Sequence, residues 1–99
     1  MRSLDDATID AFVSAHPAWV KGRDNTTLTA EFKCPSFAAA MGFMTEVAIH
    51  AVKLNHHPEW SNVYNRVTIT LTTHDAGGLT ELDLKLAEII DAIVARNGA

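Results

Sequence analysis

The stretch that decides the fold reads SFAAAMGFMTEVAIHAVKLN and covers residues 36–55. Its apolar residues recur at helical spacing, which predicts one helix about 30 Å long. One apolar side consists of Phe37, Met41, Met44, Ala48 and Ala51. A second side consists of Phe43, Val47 and Leu54, and Glu46, His50 and Lys53 form the remaining polar stripe. A sheet in the same chain can cover one apolar side, so we expect the other to pack against the same helix of a second copy. The alternative is a central helix buried within one chain.

Capping patterns mark the starts of two further helices. Ser3 with Asp6, and Thr80 with Asp83, have the spacing in which a hydroxyl and a carboxylate cap orphan backbone amides. The first pattern predicts a helix over about residues 4–15. The second begins the last helix, whose apolar stripe is Leu82, Leu86, Ile89, Ile90 and Ile93.

Alternating apolar and polar residues predict two hairpins. The first joins strands at 18–23 and 26–33 around Asp24-Asn25, which are residues typical of a turn. The second has a weaker turn signal near Asn65-Arg66, followed by an alternating strand over 67–71. The predicted order is α-β-β-α-β-β-α. We therefore expect a single α+β domain over residues 1–99, with a four-stranded antiparallel sheet and helices on one face.

Composition excludes several classes of function. The chain has 99 residues, 8 Lys and Arg against 12 Asp and Glu, and a formal net charge of −4. Without a basic cluster, direct contact with nucleic acid is disfavoured. The longest uncharged apolar run, residues 37–44, is far shorter than the roughly 20 residues of a membrane-spanning helix, so no membrane contact is expected. A single cysteine, Cys34, and no signal-peptide pattern after Met1 favour a cytoplasmic location.

Histidines supply the candidate chemistry. His56 and His57 end the long predicted helix, and His74 ends the last strand, so their side chains can reach one cleft. Histidine both gives and takes protons near neutral pH, which suits acid/base catalysis. The other interpretation is that a histidine at a helix C-terminus only complements the helix dipole. Adjacent histidines lack the usual spacing of a zinc site, so no metal is expected; His16 and His50 are expected at the surface.

Aromatic and acidic residues admit structural explanations too. Trp19, Trp60 and Tyr64 lie near the histidines in sequence or on strands, where flat apolar faces would suit a planar heterocycle. Trp19 and Tyr64 are more typical of core or sheet positions. Asp83 is interpreted as a capping carboxylate rather than as a catalytic group.

Several short motifs in order resemble one family. They are HHPEW at residues 56–60, NVYN at 62–65, THD at 73–75, GLT at 78–80, and Asp83. Together they are similar to the pterin-4a-carbinolamine dehydratases, a family also known as the dimerisation cofactor of a homeodomain transcription factor. The resemblance extends from about Leu4 to Ile93.

The resemblance implies a fold, an assembly and a reaction. Dimers would extend the sheet, and the helices at 36–55 would bundle into a tetramer. The reaction would be dehydration of 4a-hydroxytetrahydropterin to quinonoid dihydropterin and water, by a carbon-oxygen lyase that recycles tetrahydrobiopterin-type cofactors. No metal or organic cofactor is implied. The catalytic residues would be His56, His57 and His74, and the pterin would also be bordered by Pro58, Thr73, Asp75 and Ala76, with Trp19 shaping one wall.

One position departs from the family pattern, and one alternative function remains. Four residues before His56 the family usually has a charged residue, most often Glu, whereas this chain has Val52. A charge that could orient a nearby histidine is therefore missing there. The alternative is a protein-binding module without catalysis, such as a transcriptional coactivator or a Rubisco-assembly chaperone, because some relatives have those roles.

Overall fold

A computed structural model describes residues 2–97 of the chain. In chain order its elements are α1 (Asp6–Ala15), β1 (Val20–Lys21), β2 (Leu28–Lys33), α2 (Phe37–Leu54), β3 (Glu59–Val63), β4 (Arg66–Leu71) and α3 (Glu81–Asn97). Short 3-10 turns occupy Arg23–Asn25 and His74–Ala76. The predicted α-β-β-α-β-β-α order is confirmed, although the strands of the first hairpin are shorter than the sequence suggested.

The four strands form one antiparallel sheet in the order β1-β2-β4-β3. The two hairpins are joined through their second strands, with Leu28 opposite Leu71 and Phe32 opposite Val67. Strand β3 is the longer of the two edges and pairs Glu59 with Thr70. This register places the start of β3 beside the end of β4, where the chain continues toward His74.

One face of the sheet forms the core with the helices. Its side chains are those of Leu28, Ala30, Phe32, Val67, Ile69 and Leu71, and all are buried. The intervening residues, such as Thr29, Glu31 and Thr68, are at least partly exposed. Period-two burial of this kind is what one covered and one open face require. The α+β fold with helices on one face is thus confirmed.

The two predicted capping boxes have different outcomes. At α1 the prediction is wrong, because Asp5 is the N-cap and accepts from the Thr8 amide, while the Leu4 amide bonds to the carbonyl of Leu79. Asp5 begins the helix two residues later than the Ser3 pattern suggested. At α3, the Asp83 carboxylate accepts from the Thr80 amide at 2.9 Å, so this half of the box forms.

Both hairpin turns use left-handed backbone conformations. Asp24 and Asn25 have φ of 65° and 56°, as their predicted turn role allows. The second turn lies at Tyr64 and Asn65, one residue earlier than expected, with φ of 54° at Tyr64. The side-chain Nδ2 of Asn62 donates to the backbone carbonyls of Tyr64 and Arg66, which holds the turn in this place.

Helix α2 has a buried side and an apolar exposed side. Ala40, Phe43, Val47 and Ala51 are buried, so Ala51 lies on the core side together with Phe43 and Val47 rather than on one side with Phe37 and Met41. The exposed apolar patch of α2 consists of Phe37, Met41, Ile49 and Val52. By length and a mean hydropathy of 1.3, α2 also meets the criterion for a membrane-crossing helix. That is weak support for a span, because core helices of water-soluble domains meet it as well.

Candidate functional site

Three histidines converge on one open pocket at the end of the sheet. The pocket has a volume of about 270 Å³. Its lining residues are Asn55, His56, His57, Thr72, Thr73, His74 and Asp75. They come from two segments, the end of α2 and the connection that follows β4. Because α2 ends beside the last strand, histidines 17 or 18 positions apart in sequence share one cleft.

His56 reaches the pocket because α2 ends abruptly. Asn55 adopts a left-handed conformation with φ of 51°, and the His56 amide bonds back to the carbonyl of Ala51 at 3.0 Å. The His56 residue is 9% exposed. Its Nε2 lies 2.5 Å from Oδ1 of Asp83, whose residue is fully buried. A buried carboxylate requires such a partner, since burying an unpaired charge is strongly unfavourable.

Asp83 connects the site to the start of α3. Its Oδ2 accepts from the Thr73 hydroxyl at 2.7 Å and from the Thr80 amide at 2.9 Å. The hydroxyls of Thr73 and Thr80 also lie 2.9 Å apart. With His56, three hydrogen-bonding groups therefore meet at this one carboxylate. No buried side-chain nitrogen or oxygen lacks a partner in the described chain.

The other two histidines are exposed. Nε2 of His74 lies 2.7 Å from Oε2 of Glu59, and their side chains are 78% and 58% exposed. His57 is exposed and forms no ion pair within residues 2–97. A carboxylate accepts hydrogen bonds, so Nε2 carries the hydrogen in both pairs. Nδ1 of His56 and Nδ1 of His74 are the ring nitrogens that lie outside these two pairs.

The remaining predicted pterin contacts divide into two groups. Thr73 and Asp75 line the pocket, while Pro58 and Ala76 adjoin its lining segments. The backbone N–H of Ala76 is used within the turn, where it donates to the carbonyl of Thr73 at 3.0 Å. The Ala76 amide is therefore already occupied within the protein.

Trp19 lies away from the pocket and needs a correction. It is 1% exposed, its ring packs edge-on against Phe32, and its Nε1 donates to Asp91 on α3 at 3.0 Å. A side chain enclosed in the core does not form a wall of this solvent-open pocket. The structural interpretation of Trp19 as a core aromatic, rather than the substrate contact implied by resemblance, fits its position.

Two carboxylates at the site were not predicted as functional residues. Asp83 was interpreted only as a cap, and the same side chain also binds His56. Glu59 lies within the HHPEW motif but carries no periodicity or spacing signal. Only pairing between β3 and β4 brings it to His74. For Asp83 a signal existed. A carboxylate that caps a helix with one oxygen has a second oxygen that can accept a hydrogen bond from a histidine.

Cavity volume alone does not select the histidine pocket, because clefts elsewhere are larger, for example one of about 560 Å³ beside the start of α1. A cleft of about 330 Å³ between β2, α2 and α3 is lined by Cys34, Pro35, Ala39, Gly42, Phe43, Glu46 and Asn97. It contains no histidine, and burial raises the pKa of the Cys34 thiol, which disfavours the reactive thiolate. Within residues 2–97, no three histidine, cysteine or acidic side chains are grouped to hold a metal ion. The histidine pocket is therefore the stronger candidate on chemical grounds.

Similar proteins agree on one family. Residues 2–93 match the sequence profile of the pterin 4 alpha carbinolamine dehydratase family. A protein of Rhizobium leguminosarum bv. trifolii, described provisionally as a pterin-4-alpha-carbinolamine dehydratase, is 52% identical over 98 residues, covering 99% of this chain and 97% of the relative. A Prochlorococcus marinus protein with the same provisional description is 49% identical, covering 92% and 94%.

Solved structures give the same result. The crystal structure of a transcriptional coactivator/pterin dehydratase from Brucella melitensis superposes with a TM-score of 0.89 at 42% identity, covering 93% of this chain and 98% of that one. A pterin dehydratase-like protein identified as a RuBisCO assembly factor in the alpha-carboxysome shares the fold, with a TM-score of 0.67 at 23% identity over 77% and 88%. By sequence and by structure, this chain belongs to the pterin-4a-carbinolamine dehydratase family.

Proposed function

We propose that this chain is an active dehydratase, a carbon-oxygen lyase that converts 4a-hydroxytetrahydropterin to quinonoid dihydropterin and water in the recycling of a tetrahydrobiopterin-type cofactor. The observation that carries the proposal is the convergence of His56, His57 and His74 on one pocket. Two of these imidazoles are held by carboxylates, and the exposed pair of His74 with Glu59 has no evident structural role.

The reaction needs an acid and a base, and imidazoles supply both. In the carbinolamine, a ring nitrogen forms a double bond to C4a as the C4a–O bond breaks. An acid protonates the departing oxygen, which leaves as water, and a base accepts the proton of the nitrogen, so protons and charge balance. The available nitrogens are Nδ1 of His56, Nδ1 of His74 and either ring nitrogen of His57. The pocket residues Pro58, Thr73, Asp75 and Ala76 would border the substrate.

The decisive experiment measures dehydration of 4a-hydroxytetrahydropterin generated in situ, followed by ultraviolet absorbance. We expect the native protein to accelerate it, and His56→Ala, His57→Ala and His74→Ala each to remove most of the acceleration, up to roughly 100-fold. His50→Ala is the matched control, since His50 lies on α2 outside the pocket, and it should retain the native rate. Circular dichroism tests whether each variant is folded. A native rate equal to the spontaneous rate would overturn the proposal.

The exposed patch of α2 supports a homo-oligomer, a dimer or tetramer, formed through residues 36–55. Phe37, Ile49 and Val52 are each at least half exposed, and large apolar side chains on one helix favour contact with another apolar surface. We expect the native mass in sedimentation to be two or four times the chain mass of 10.8 kDa. Ile49→Glu should lower the mass, whereas Lys53→Glu, a charge change on the polar stripe of α2, should not. A native monomer would contradict this assembly.

The second candidate function is a protein-binding module. The exposed patch of α2 favours it, because the same apolar surface could bind another protein, and relatives are described as a transcriptional coactivator or a RuBisCO assembly factor. It would replace the enzyme proposal if the native chain gave only the spontaneous rate. We place either function in the cytoplasm, where the free, buried Cys34 would stay reduced.

A further inference from the structure

The pair formed by Glu59 and His74 has no role in holding the fold together. The buried Asp83 both caps α3 and pairs with His56, so it has a structural role in addition to any catalytic one. Glu59 caps no helix, and its carboxylate meets His74 at the solvent-exposed mouth of the pocket. We propose that Glu59 is a positioning residue for His74. The proposal rests on the dehydratase function and assigns Glu59 a role in it.

The sheet register sets the pair. Glu59 begins β3 and lies opposite Thr70 of β4, and His74 follows three residues after β4 ends at Leu71. The carboxylate therefore meets the imidazole from the side of the sheet edge. Since Oε2 accepts from Nε2–H, the ring is held with Nδ1 as its unprotonated nitrogen. Glu59 thereby fixes which nitrogen of His74 is free for proton transfer.

Glu59 is the one carboxylate within ion-pair distance of His74 in residues 2–97. The charge that can orient this ring therefore comes from the start of β3.

An exposed ion pair contributes little to stability, so the role must be tested through rate and ring orientation. Glu59→Gln removes the charge and retains the size of the side chain. Glu88→Gln removes the same charge from an exposed position on α3 that forms no ion pair in the described chain. Glu59→Asp keeps the charge on a shorter side chain and tests for rescue.

The expected results separate positioning from substrate binding. Glu59→Gln should lower kcat by roughly 10-fold with KM changed by less than about twofold, because Glu59 acts through His74 and does not touch the pterin. Glu59→Asp should recover part of the loss, and Glu88→Gln should match the native protein. Raising sodium chloride to about 1 M should lower the native kcat and leave that of Glu59→Gln unchanged, because salt weakens an exposed pair. An unchanged kcat in Glu59→Gln would overturn the proposal.

Nuclear magnetic resonance of the substrate-free protein decides the same question without activity. The ¹⁵N and ring-proton resonances of His74 should move in Glu59→Gln and stay in place in Glu88→Gln, while those of His56 stay in place in both. If His74 does not respond, the positioning role is wrong even in an active enzyme. If His74 responds but the native protein has no dehydratase activity, the proposed function fails, and the positioning role in catalysis fails with it.

Discussion

Nε2 of His56 and Oδ1 of Asp83 lie 2.5 Å apart across 27 positions of sequence, joining the end of α2 to the first turn of α3. The same carboxylate accepts from the Thr73 hydroxyl and the Thr80 amide. A single buried acid therefore caps a helix, fixes the connection after β4 and orients a pocket histidine. Folding and the proposed chemistry depend on one side chain.

Asp83→Asn should weaken both stability and catalysis. Asparagine keeps one acceptor but brings an NH₂ group against donors that need a carboxylate oxygen. We expect the free energy of unfolding to fall by about 1–3 kcal/mol, the penalty for a buried unsatisfied polar group. Urea unfolding measures it. Asp24→Asn, at an exposed left-handed turn position, is the control and should stay within about 0.5 kcal/mol of the native protein. Equal stability of Asp83→Asn and the native protein would contradict the shared role.

The sequence was sufficient to predict individual helices and hairpins. It was insufficient to predict contacts that depend on how the two hairpins pair in the sheet. The helix over 36–55, the hairpins and the element order follow from periodicity, and the His56, His57 and His74 cluster follows from element ends. Pairing of the hairpins through β2 and β4 has no local signal. Glu59 therefore could not be assigned to His74 from the sequence alone.

Glu59 was missed as a site residue, whereas Trp19 was assigned to the site but lies in the core. Family resemblance implied a substrate contact, but burial of an indole whose N–H finds an acceptor is favourable enough to place it in the core. Its acceptor, Asp91, is 72 positions away, and no spacing pattern links the two residues. Functional roles carried over by resemblance thus need a position in the fold before they apply to a particular residue.

The N-cap of α2 gives a second stability prediction. The Ser36 hydroxyl accepts from the Ala39 amide at 3.1 Å and begins the helix that carries the pocket at its other end. Ser36→Ala should lower the free energy of unfolding by about 1 kcal/mol, and Ser36→Asp should retain it, since aspartate caps equally well. Ser14→Ala, an exposed position within α1, should cause no loss in the same urea titration. A Ser36→Ala variant as stable as Ser36→Asp would refute the assignment.

A substitution at Gly42 tests whether a second protein surface packs against this side of α2. A β-carbon added at Gly42 would meet no atom within 4 Å, and glycine inside a helix is less favourable than alanine. In a protomer with this side of α2 in water, Gly42→Ala should raise the free energy of unfolding by about 0.5–1 kcal/mol. Gly77→Ala is the contrasting variant and should destabilise, because φ of 71° disfavours a side chain. A loss of stability in Gly42→Ala would indicate that another surface packs closely against Gly42.

Cys34 gives the pH prediction. Burial raises the pKa of its thiol above the ordinary value of a cysteine, so the folded state holds the proton more tightly than the unfolded chain does. This contribution is fully present below the unfolded pKa and is lost as pH rises through the folded pKa. We therefore expect the free energy of unfolding to fall more steeply above about pH 9 in the native protein than in Cys34→Ala, since only the native chain has this thiol. Groups such as Lys and Tyr titrate in both proteins, so the difference between the two urea-derived curves isolates Cys34. Parallel curves, or rapid labelling of the native thiol by a thiol reagent at pH 8, would show that the thiol is not protected by burial.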